Sequence, residues 1–278
     1  MPEMLSILVF SIITPVVSFA GNCTREFLKT SADSLVAAQT AGNPELLQPK
    51  SNNFEYHENF AEASFTAGIL SSPLKVDHNR HSLDTTQCAT YTEIVSATGS
   101  KPYVIGVQMY FTDNVISKVA TLITTTGDWL FNATGTLYWA SREDWSTIPE
   151  EKRDSRDVIQ AAAEAYLNLF SDNSTVVPWG YPCSRLEGGM YTGNGGPNDR
   201  CDVGIPSGVS LVSRRYVIDE TAGAVSVFLS FSGLPDSHEF RIEGGKLRYV
   251  HTITVLSVRA NGKEKMRARK AMATYPTN

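Results

Sequence analysis

The chain has 278 residues, of which 42% are hydrophobic and 19% are charged, and its formal net charge is −5. This length allows one or two globular domains with substantial cores. The acidic balance gives no reason to expect a nucleic-acid partner.

The first twenty residues have the pattern of a secretory signal peptide. The stretch LSILVFSIITPVVSFA, 5–20, is apolar and ends in small residues, which predicts cleavage after Ala20. It is too short, and too interrupted by Pro15, for a convincing membrane span. The first four residues carry Glu3 and no Lys or Arg, which departs from the usual basic start. We expect a secreted or luminal mature chain that begins at Gly21 and has no membrane span.

Four cysteines and three glycosylation sequons agree with this destination. The N-x-S/T sequons begin at Asn22, Asn132 and Asn173. An even number of cysteines in a chain that enters an oxidising compartment predicts disulfides. The sequence therefore predicts a disulfide-bonded glycoprotein.

An internal repeat begins directly after the signal peptide. TREFL, 24–28, matches SRDVI, 155–159, at an offset of 131. Each stretch has an N-cap residue, an Arg, an acidic residue and two apolar residues, which is typical of the start of an amphipathic helix. We expect helices over 24–40 and 155–170.

Two further matches follow in the same order. MYFTDNVISKVATLIT, 109–124, aligns with FRIEGGKLRYVHTITV, 240–255, again at an offset of 131. YHEN, 56–59, aligns with RLEG, 185–188, at an offset of 129. Three weak matches in one order predict a duplicated unit.

The expected architecture is α+β, with two tandem units that each pack a helix on a curved antiparallel sheet. The units span 21–137 and 155–258, with a linker over 138–154 and a basic C-terminal tail over 259–278. A helix followed by such a sheet resembles the cone-shaped fold of nuclear transport factor 2 and the polyketide cyclases, an analogy that does not fix function. The expected strands are 89–96, 103–111, 115–124, 208–218, 224–232, 238–243 and 246–258.

The cysteines fit this layout. Cys23 precedes the first helix and Cys88 the first unit's sheet, whereas Cys183 and Cys201 bracket the glycine-rich segment GGMYTGNGGPND. Four cysteines allow three pairings. We predict Cys23–Cys88 and Cys183–Cys201, one bridge in each unit.

The stretch WGYPCSRLEGG, 179–189, concentrates aromatic and charged residues in a turn-rich segment. Arg185 and Glu187 are two residues apart and can pair with each other. One interpretation is a structural rim anchored by the disulfide. The other is a lid over a pocket, with Trp179 and Tyr181 as walls and Arg185 as donor to an anionic or carbonyl oxygen.

The stretch HEFRIEGGKLRYVHTIT, 238–254, predicts a β-hairpin that turns at Gly244 and Gly245. Uninterrupted pairing places His238 opposite His251, and Phe240 opposite Tyr249, all on one face of the sheet. The opposite face is then solvated and carries Glu239, Arg241, Glu243, Lys246 and Arg248.

The repeat helps to interpret the two histidines. His238 aligns with Val107 and His251 aligns with Ala120, so the fold does not require histidine at either position. Two satisfied core histidines remain one interpretation; a ligand cavity with aromatic walls is the other, and we favour it. We expect neither a metal nor a cofactor, and HNRH, 78–81, reads as a chance spacing in a polar loop. The predicted catalytic residues are His238, His251 and Arg185, and the predicted substrate contacts are Trp179, Tyr181, Phe240, Tyr249 and Glu187.

Four stretches carry a resemblance to a known family: CTREFLKTSADSL, WGYPCSRLEGGMYT, RRYVID and HEFRIEGGKLRYVHTIT. They are similar to a family of secreted fungal proteins with a signal peptide and this duplicated layout. Within that family the chain most resembles the hetero-Diels–Alderases of tropolone–sesquiterpenoid biosynthesis. The resemblance spans most of the mature chain.

The resemblance implies a pericyclase of secondary metabolism that makes meroterpenoids from polyketide and terpene substrates. A tropolone o-quinone methide adds to an alkene of a humulene-type sesquiterpene, and no cofactor is required. Holding both reactants in one cavity lowers the barrier by up to about 7–11 kcal/mol, and a histidine can assist the preceding dehydration.

Two other functions fit the same residues. One is a different secreted small-molecule cyclase or isomerase on this fold. The other is a secreted ligand-binding or effector protein without catalysis. Product formation by the purified protein distinguishes the enzymes from the binding protein.

Overall fold

The computed structural model describes residues 23–256. The predicted signal peptide, the sequon residue Asn22 and the whole predicted C-terminal tail, 259–278, lie outside these residues. Three α-helices are present in the described part: α1 is Arg25–Ala41, α2 is Ala133–Ala140 and α3 is Arg156–Leu169. None of these helices is long and apolar enough to cross a membrane.

Each unit contains one six-stranded sheet. The first sheet consists of β1 Lys50–Glu58, β2 Ala61–Glu62, β3 His78–Asp84, β4 Ala89–Ser96, β5 Tyr103–Thr112 and β6 Val115–Thr124. The second consists of β7 Trp179–Glu187, β8 Met190–Tyr191, β9 Leu211–Asp219, β10 Ala224–Phe231, β11 Leu234–Glu243 and β12 Lys246–Thr254. The strand orders, β2-β1-β6-β5-β4-β3 and β8-β7-β12-β11-β10-β9, are the same. The α+β prediction of two tandem helix-plus-sheet units is therefore confirmed at this level.

The expectation of purely antiparallel sheets is wrong for one pair of neighbouring strands in each sheet. β1 runs parallel to β6, and β7 runs parallel to β12. Parallel neighbours need a long connection, and here the remaining strands of the unit provide it. β1 and β7 therefore lie where no strand was predicted, β7 in the segment interpreted as a rim or lid, and HNRH lies in β3 rather than in a loop.

The two long helices begin where their caps predict. The hydroxyl groups of Thr24 and Ser155 accept hydrogen bonds from the backbone of Phe27 and Val158, at 3.1 and 3.5 Å. These bonds satisfy amide groups that a helix start leaves without partners. The buried stripes of α1 and α3 face the first and second sheet respectively.

Both disulfides have the predicted pairing, Cys23–Cys88 and Cys183–Cys201. The first ties the start of α1 to the turn before β4. The second closes the glycine-rich segment behind β7. The sequon residues Asn132 and Asn173 are exposed, so their glycosylation remains a prediction that accessibility permits.

The two sheets also pack against each other through the faces that the helices leave free. A third buried cluster joins the two units, and it includes Tyr91 and Leu122 from the first sheet and Phe228 and Ile253 from the second. The central strands of each sheet are therefore buried on both faces, against their own helix and against the other unit. We call the first its helix face and the second its interface face.

Candidate functional site

A cavity of about 530 Å³ lies beside β7 and β8 in the second unit. β7 contributes Arg185 and Glu187, β8 contributes Met190 and Tyr191, and the remaining wall comes from Leu130 and from 192–204. A volume of this size suits a small organic molecule. We call this cavity the Arg185 pocket.

Arg185 is a buried cation in the wall of this pocket and is only 1% exposed. Its guanidinium donates hydrogen bonds to the carbonyl oxygens of Cys201 and Val203, at 3.2 and 2.8 Å. Its Nε lies 3.2 Å from Oε2 of Glu187. The carbonyl groups orient the guanidinium, and Glu187 balances its charge, as a buried ion requires. Sequence reasoning placed Arg185 on a rim; its pairing with Glu187 is as expected, but both lie inside a strand.

The repeat provides an internal comparison for this pair. The register of the two sheets places Arg185 where the first unit has Tyr56, and Glu187 where it has Glu58. In the first unit the Tyr56 hydroxyl donates to Glu58 at 2.6 Å. The carboxylate is common to both units, whereas the buried cation belongs to the second, which makes Arg185 the more distinctive group.

The glycine-rich segment is shaped around Asp199. This carboxylate accepts hydrogen bonds from the backbone amides of Asn194, Gly195 and Gly196, at 2.8 to 3.3 Å. A Cβ atom at Gly193 would lie 2.3 Å from the carboxyl carbon of Asp199. Glycine is thus needed for this close approach, and the Cys183–Cys201 bridge closes the same segment over the pocket.

His238 lies on the helix face of the second sheet, beside a cavity of about 10 Å³. Its Nδ1 is 2.6 Å from a carboxylate oxygen of Asp236, and both residues are buried. Its ring packs against Tyr166, Phe170 and the fully buried Phe240. A space of this size is at the lower limit for one water molecule.

The predicted pairing of His238 with His251 is wrong because the hairpin contains a β-bulge. The turn at Gly244 and Gly245 is confirmed, but Arg248 is an extra residue in β12, so His238 pairs with Thr252 and His251 pairs with Glu239. Because one extra residue reverses the facing of the strand beyond it, His251 and Tyr249 leave the helix face. The first unit has the same bulge at Ser117, so comparing the units could not reveal it.

The hairpin face that was expected to be solvated is exposed only near the turn, at Glu243 and Lys246, and is the interface face further along the strands. Glu239 and Arg241 are 0% and 3% exposed. Tyr249 packs there against Trp145 of the linker. The sheet of the first unit and the linker cover this part of the face. A prediction based on one hairpin could not include elements that lie elsewhere in the chain.

His251 is the centre of a buried ionic network between the units. Its Nδ1 is 2.9 Å from Glu93 of β4, and its Nε2 is 2.5 Å from Glu143 of the linker. Arg80 of β3 donates to both carboxylate oxygens of Glu239, at 2.8 Å each. We call these five residues the interface network.

The charges of the interface network are set by mutual contact. Burial alone would lower the pKa of His251, but the carboxylates of Glu143 and Glu93 raise it to about 10. Burial opposes ionisation of Glu93 and Glu143, yet the imidazolium lowers the pKa of both carboxyl groups. His251 is therefore a stable imidazolium at neutral pH.

The linker closes the interface network from outside. The Arg80 guanidinium lies 3.6 Å from the ring centre of Trp145, a cation–π contact. Trp145 Nε1 donates to Glu143 at 2.8 Å, and the Trp145 ring also meets His251 edge to face. The segment predicted to be a linker therefore contributes two side chains to the buried centre.

Potential ligand atoms of Glu93, Glu239 and His251 lie within 4.8 Å of one another, a spacing that could hold a metal ion. Arg80, however, already binds the Glu239 carboxylate and reaches Glu93 at 3.3 Å. The positive charge at this position comes from Arg80 and the imidazolium, so the geometry favours an ion-pair network over a metal centre.

Of the five predicted contact residues, Glu187 lines the Arg185 pocket, whereas Trp179, Tyr181, Phe240 and Tyr249 do not, and neither do His238 and His251. Trp179 is half-buried and packs edge to face on Tyr166. Tyr181 is 62% exposed, with the Arg200 guanidinium 5.7 Å from its ring centre. Neither contributes to the wall formed by Arg185 and Glu187.

Sequence reasoning did not identify Arg80, Glu93, Glu143, Trp145 or Tyr191. One signal was available, because Glu93 is the one charged residue of the correctly predicted strand 89–96, ATYTEIVS. An acid in such a strand needs a buried partner. The partner comes from the other unit, so its identity required the three-dimensional structure.

Residues 152–254 match the family model of a domain of unknown function, DUF8021. The matched segment contains α3, the second sheet, Arg185 and His251, but neither Leu130 of the pocket wall nor Glu93 and Glu143. No curated protein and no solved structure matches the chain.

Proposed function

We propose that this chain is a secreted, cofactor-independent enzyme that binds a small, oxygen-bearing and mostly hydrocarbon molecule in the Arg185 pocket and promotes its cyclisation. The observation that carries the proposal is the buried Arg185 guanidinium at the wall of a cavity of about 530 Å³. Guanidinium donors in a shielded cavity stabilise negative charge that develops on a ligand oxygen. The two disulfides and the exposed sequons support a secretory destination.

The specific reaction we propose is a hetero-Diels–Alder addition. Loss of water from a hydroxymethyl tropolone gives an o-quinone methide, whose four-atom C=C–C=O unit adds across an alkene of a humulene-type sesquiterpene. One C–C and one C–O bond form, and no atom is lost in the addition. Negative charge that develops on the quinone-methide oxygen suits the Arg185 donors, and the cavity reduces the entropic cost of bringing two reactants together.

The finer fold assignment belongs to the same proposal. A long helix packed on one face of a six-stranded sheet, present twice, supports two units like nuclear transport factor 2. Arg185 and Glu187 share the helix face with His238, which supports a ligand site at that side of the second unit.

The decisive experiment incubates the purified secreted protein with a hydroxymethyl tropolone and humulene. Chiral liquid chromatography with mass spectrometry then compares the adduct with that of the uncatalysed reaction. We expect faster formation of one stereoisomer. Binding of tropolone without any acceleration would overturn the enzyme proposal in favour of a ligand-binding protein, and absence of binding would overturn both.

Arg185→Gln tests the site. This variant removes the cation and keeps a polar side chain, so we expect product formation to fall by about 10²-fold or more if Arg185 stabilises the reacting oxygen. Arg214→Gln is the matched control, because the Arg214 side chain also donates to a backbone carbonyl, that of Leu211, but outside the pocket. Equal loss in the two variants would exclude a specific role for Arg185.

A further inference from the structure

A second cavity, of about 510 Å³, lies between the linker and the turn end of the β11–β12 hairpin. Linker residues within 144–152 form one wall, and Arg241, Glu243 and Gly244 form the other. The cavity shares no lining residue with the Arg185 pocket, so a site in it is a separate one. We call it the linker pocket.

Arg241 lines the linker pocket in the way that Arg185 lines its own. Its Nη1 donates to the carbonyl oxygen of Ser146, at 2.7 Å, and to that of Ala222. Its Nε donates to Glu243, two residues further along the chain, at 2.9 Å. Two carbonyl groups and a nearby glutamate thus hold each of the two buried guanidinium groups, and each group lies in the wall of a cavity.

One nitrogen of the Arg241 guanidinium remains available to a ligand. A guanidinium carries five N–H groups, and three of them, the two of Nη1 and the one of Nε, are used. No residue in the described range 23–256 accepts a hydrogen bond from Nη2, yet this atom is not among those that are fully buried without a partner. Its two N–H groups therefore keep accessible surface, and a ligand can reach them from the cavity that Arg241 lines.

The first unit shows that the fold does not require a cation at this position. The shared register of the two sheets places Tyr110 where the second unit has Arg241. The Tyr110 hydroxyl donates to Gln108 of its own strand, at 2.8 Å. Attachment of the linker explains the bond from Arg241 to Ser146, but it does not account for the free N–H groups of Nη2.

The charges around the linker pocket favour an anion. Glu243 is paired with Arg241. Hydrogen bonds within the linker lower the pKa of Asp144, and the nearby Arg241 and Arg248 lower it further and balance its charge. Lys152 lines the pocket, is exposed and forms no ion pair within the described part of the chain. Three cations thus face two carboxylates, which leaves one positive charge for a ligand.

We propose that the linker pocket is a second ligand site, which binds a small organic carboxylate through Nη2 of Arg241 and the ammonium group of Lys152. Charge-assisted hydrogen bonds of this kind are among the stronger ones in proteins. Ile148 and Pro149 line the same cavity and provide an apolar contact for the rest of the ligand. The carboxylate joins the linker to the second sheet, because Lys152 belongs to the one and Arg241 to the other. This site is independent of the reaction proposed for the Arg185 pocket.

The first experiment compares the binding of benzoate and benzamide by isothermal titration calorimetry. The two probes have nearly the same shape, and only benzoate carries a charge. The unmodified protein should prefer benzoate by about tenfold to a hundredfold, the value of a hydrogen bond to a charged group. Absence of benzoate binding, or equal affinity for the two probes, would exclude a carboxylate site.

Substitutions then locate the site. Arg241→Gln should abolish the preference for benzoate, and Lys152→Gln, at an exposed position, should reduce it by about twofold to fivefold. Lys101→Gln is the matched control, because Lys101 is an exposed lysine of the first unit, and it should keep the full preference. Arg185→Gln should keep it as well. Loss of benzoate binding in Arg185→Gln but not in Lys152→Gln would place the anion in the Arg185 pocket and overturn the proposal.

The second experiment observes the pocket directly and leaves Arg241 unchanged. Methyl-labelled isoleucine reports the Cδ1 group of Ile148 by NMR, and Ile148→Val assigns its signal. Benzoate should shift this signal and leave that of Ile94, in the core of the first unit, unchanged. Lys152→Glu, which places a negative charge at the pocket, should remove the shift. An Ile148 signal that does not respond to benzoate, or that responds equally in Lys152→Glu, would show that the linker pocket is not the site.

Discussion

Arg25 of α1 in the first unit binds Asp219 of β9 in the second through two parallel hydrogen bonds, of 2.6 and 2.9 Å. The reciprocal pair exists: Arg156 of α3 binds Asp84 of β3 through two bonds of 2.8 Å. Both arginines belong to the repeated helix starts. The two units therefore meet as a pseudo-twofold pair, and each helix start is anchored to the opposite sheet.

These reciprocal ion pairs should be important for stability. Asp219 and Asp84 are fully buried, so Arg25→Ala or Arg156→Ala leaves a buried carboxylate without its cation. We expect each variant to lose about 3 kcal/mol of unfolding free energy, measured by denaturant titration. Lys29→Ala is the control, because the exposed Lys29–Asp33 pair should contribute less than about 0.5 kcal/mol. Equal small losses in all three variants would contradict the anchoring role.

The Cys183–Cys201 bridge should matter for the pocket, and Cys23–Cys88 mainly for stability. The bridges span 18 and 65 residues, so their removal should cost about 3 and about 4 kcal/mol. Only the shorter bridge lies at the carbonyl groups that hold Arg185, because one is that of Cys201 itself and the other, that of Val203, is two residues further along the chain. Replacing Cys183 and Cys201 by serine should therefore weaken tropolone binding more than replacing Cys23 and Cys88. Calorimetry at a temperature where both variants remain folded makes the comparison, and the opposite order would contradict it.

The sequence predicted what local and repeated patterns determine. Helix starts, the Gly244–Gly245 turn and the disulfide pairing are confirmed because each depends on nearby residues or on the repeat. The Arg248 bulge was missed because both units share it. The interface network was missed because its members come from both units and the linker. Within one hairpin, a solvent-exposed face and a charged interface face have the same pattern of residues. Glu239 is an example, because it is charged and yet fully buried at the interface.

His251 should make the stability of the chain depend on pH in a defined window. Its folded pKa of about 10 lies above the ordinary value of 6.5. The proton therefore favours the folded state below pH 6.5, and this contribution falls as the pH rises towards 10. The groups that face it are Glu93, Glu143, Glu239, Arg80 and His78.

The variant His251→Gln isolates this effect. Between about pH 7 and 9.5 the unmodified protein should lose about 1.4 kcal/mol per pH unit relative to the variant. Denaturant titrations at several pH values give the slope. At pH 6 the variant should be the less stable by about 3–5 kcal/mol, since two buried carboxylates lose the imidazolium and only Glu93 still has Arg80 within 4 Å. Parallel pH profiles would show that His251 is not protonated in the folded state.

The last prediction concerns His238, whose alternative interpretation is a structural one. The first unit has Val107 at its position and Ile105 at the position of Asp236, as the shared register shows. His238→Val alone leaves the buried Asp236 carboxylate with Thr254 and no imidazole. We expect a loss of about 3 kcal/mol. Adding Asp236→Ile removes the stranded carboxylate and recreates the apolar pair of the first unit, so the double variant should recover most of that stability. This coupling is measured as a double-mutant cycle.

If the double variant also keeps unmodified tropolone binding and turnover, His238 and Asp236 are a buried structural pair. If turnover falls while stability recovers, His238 acts on the ligand across Glu187, which borders both the Arg185 pocket and the small cavity beside His238.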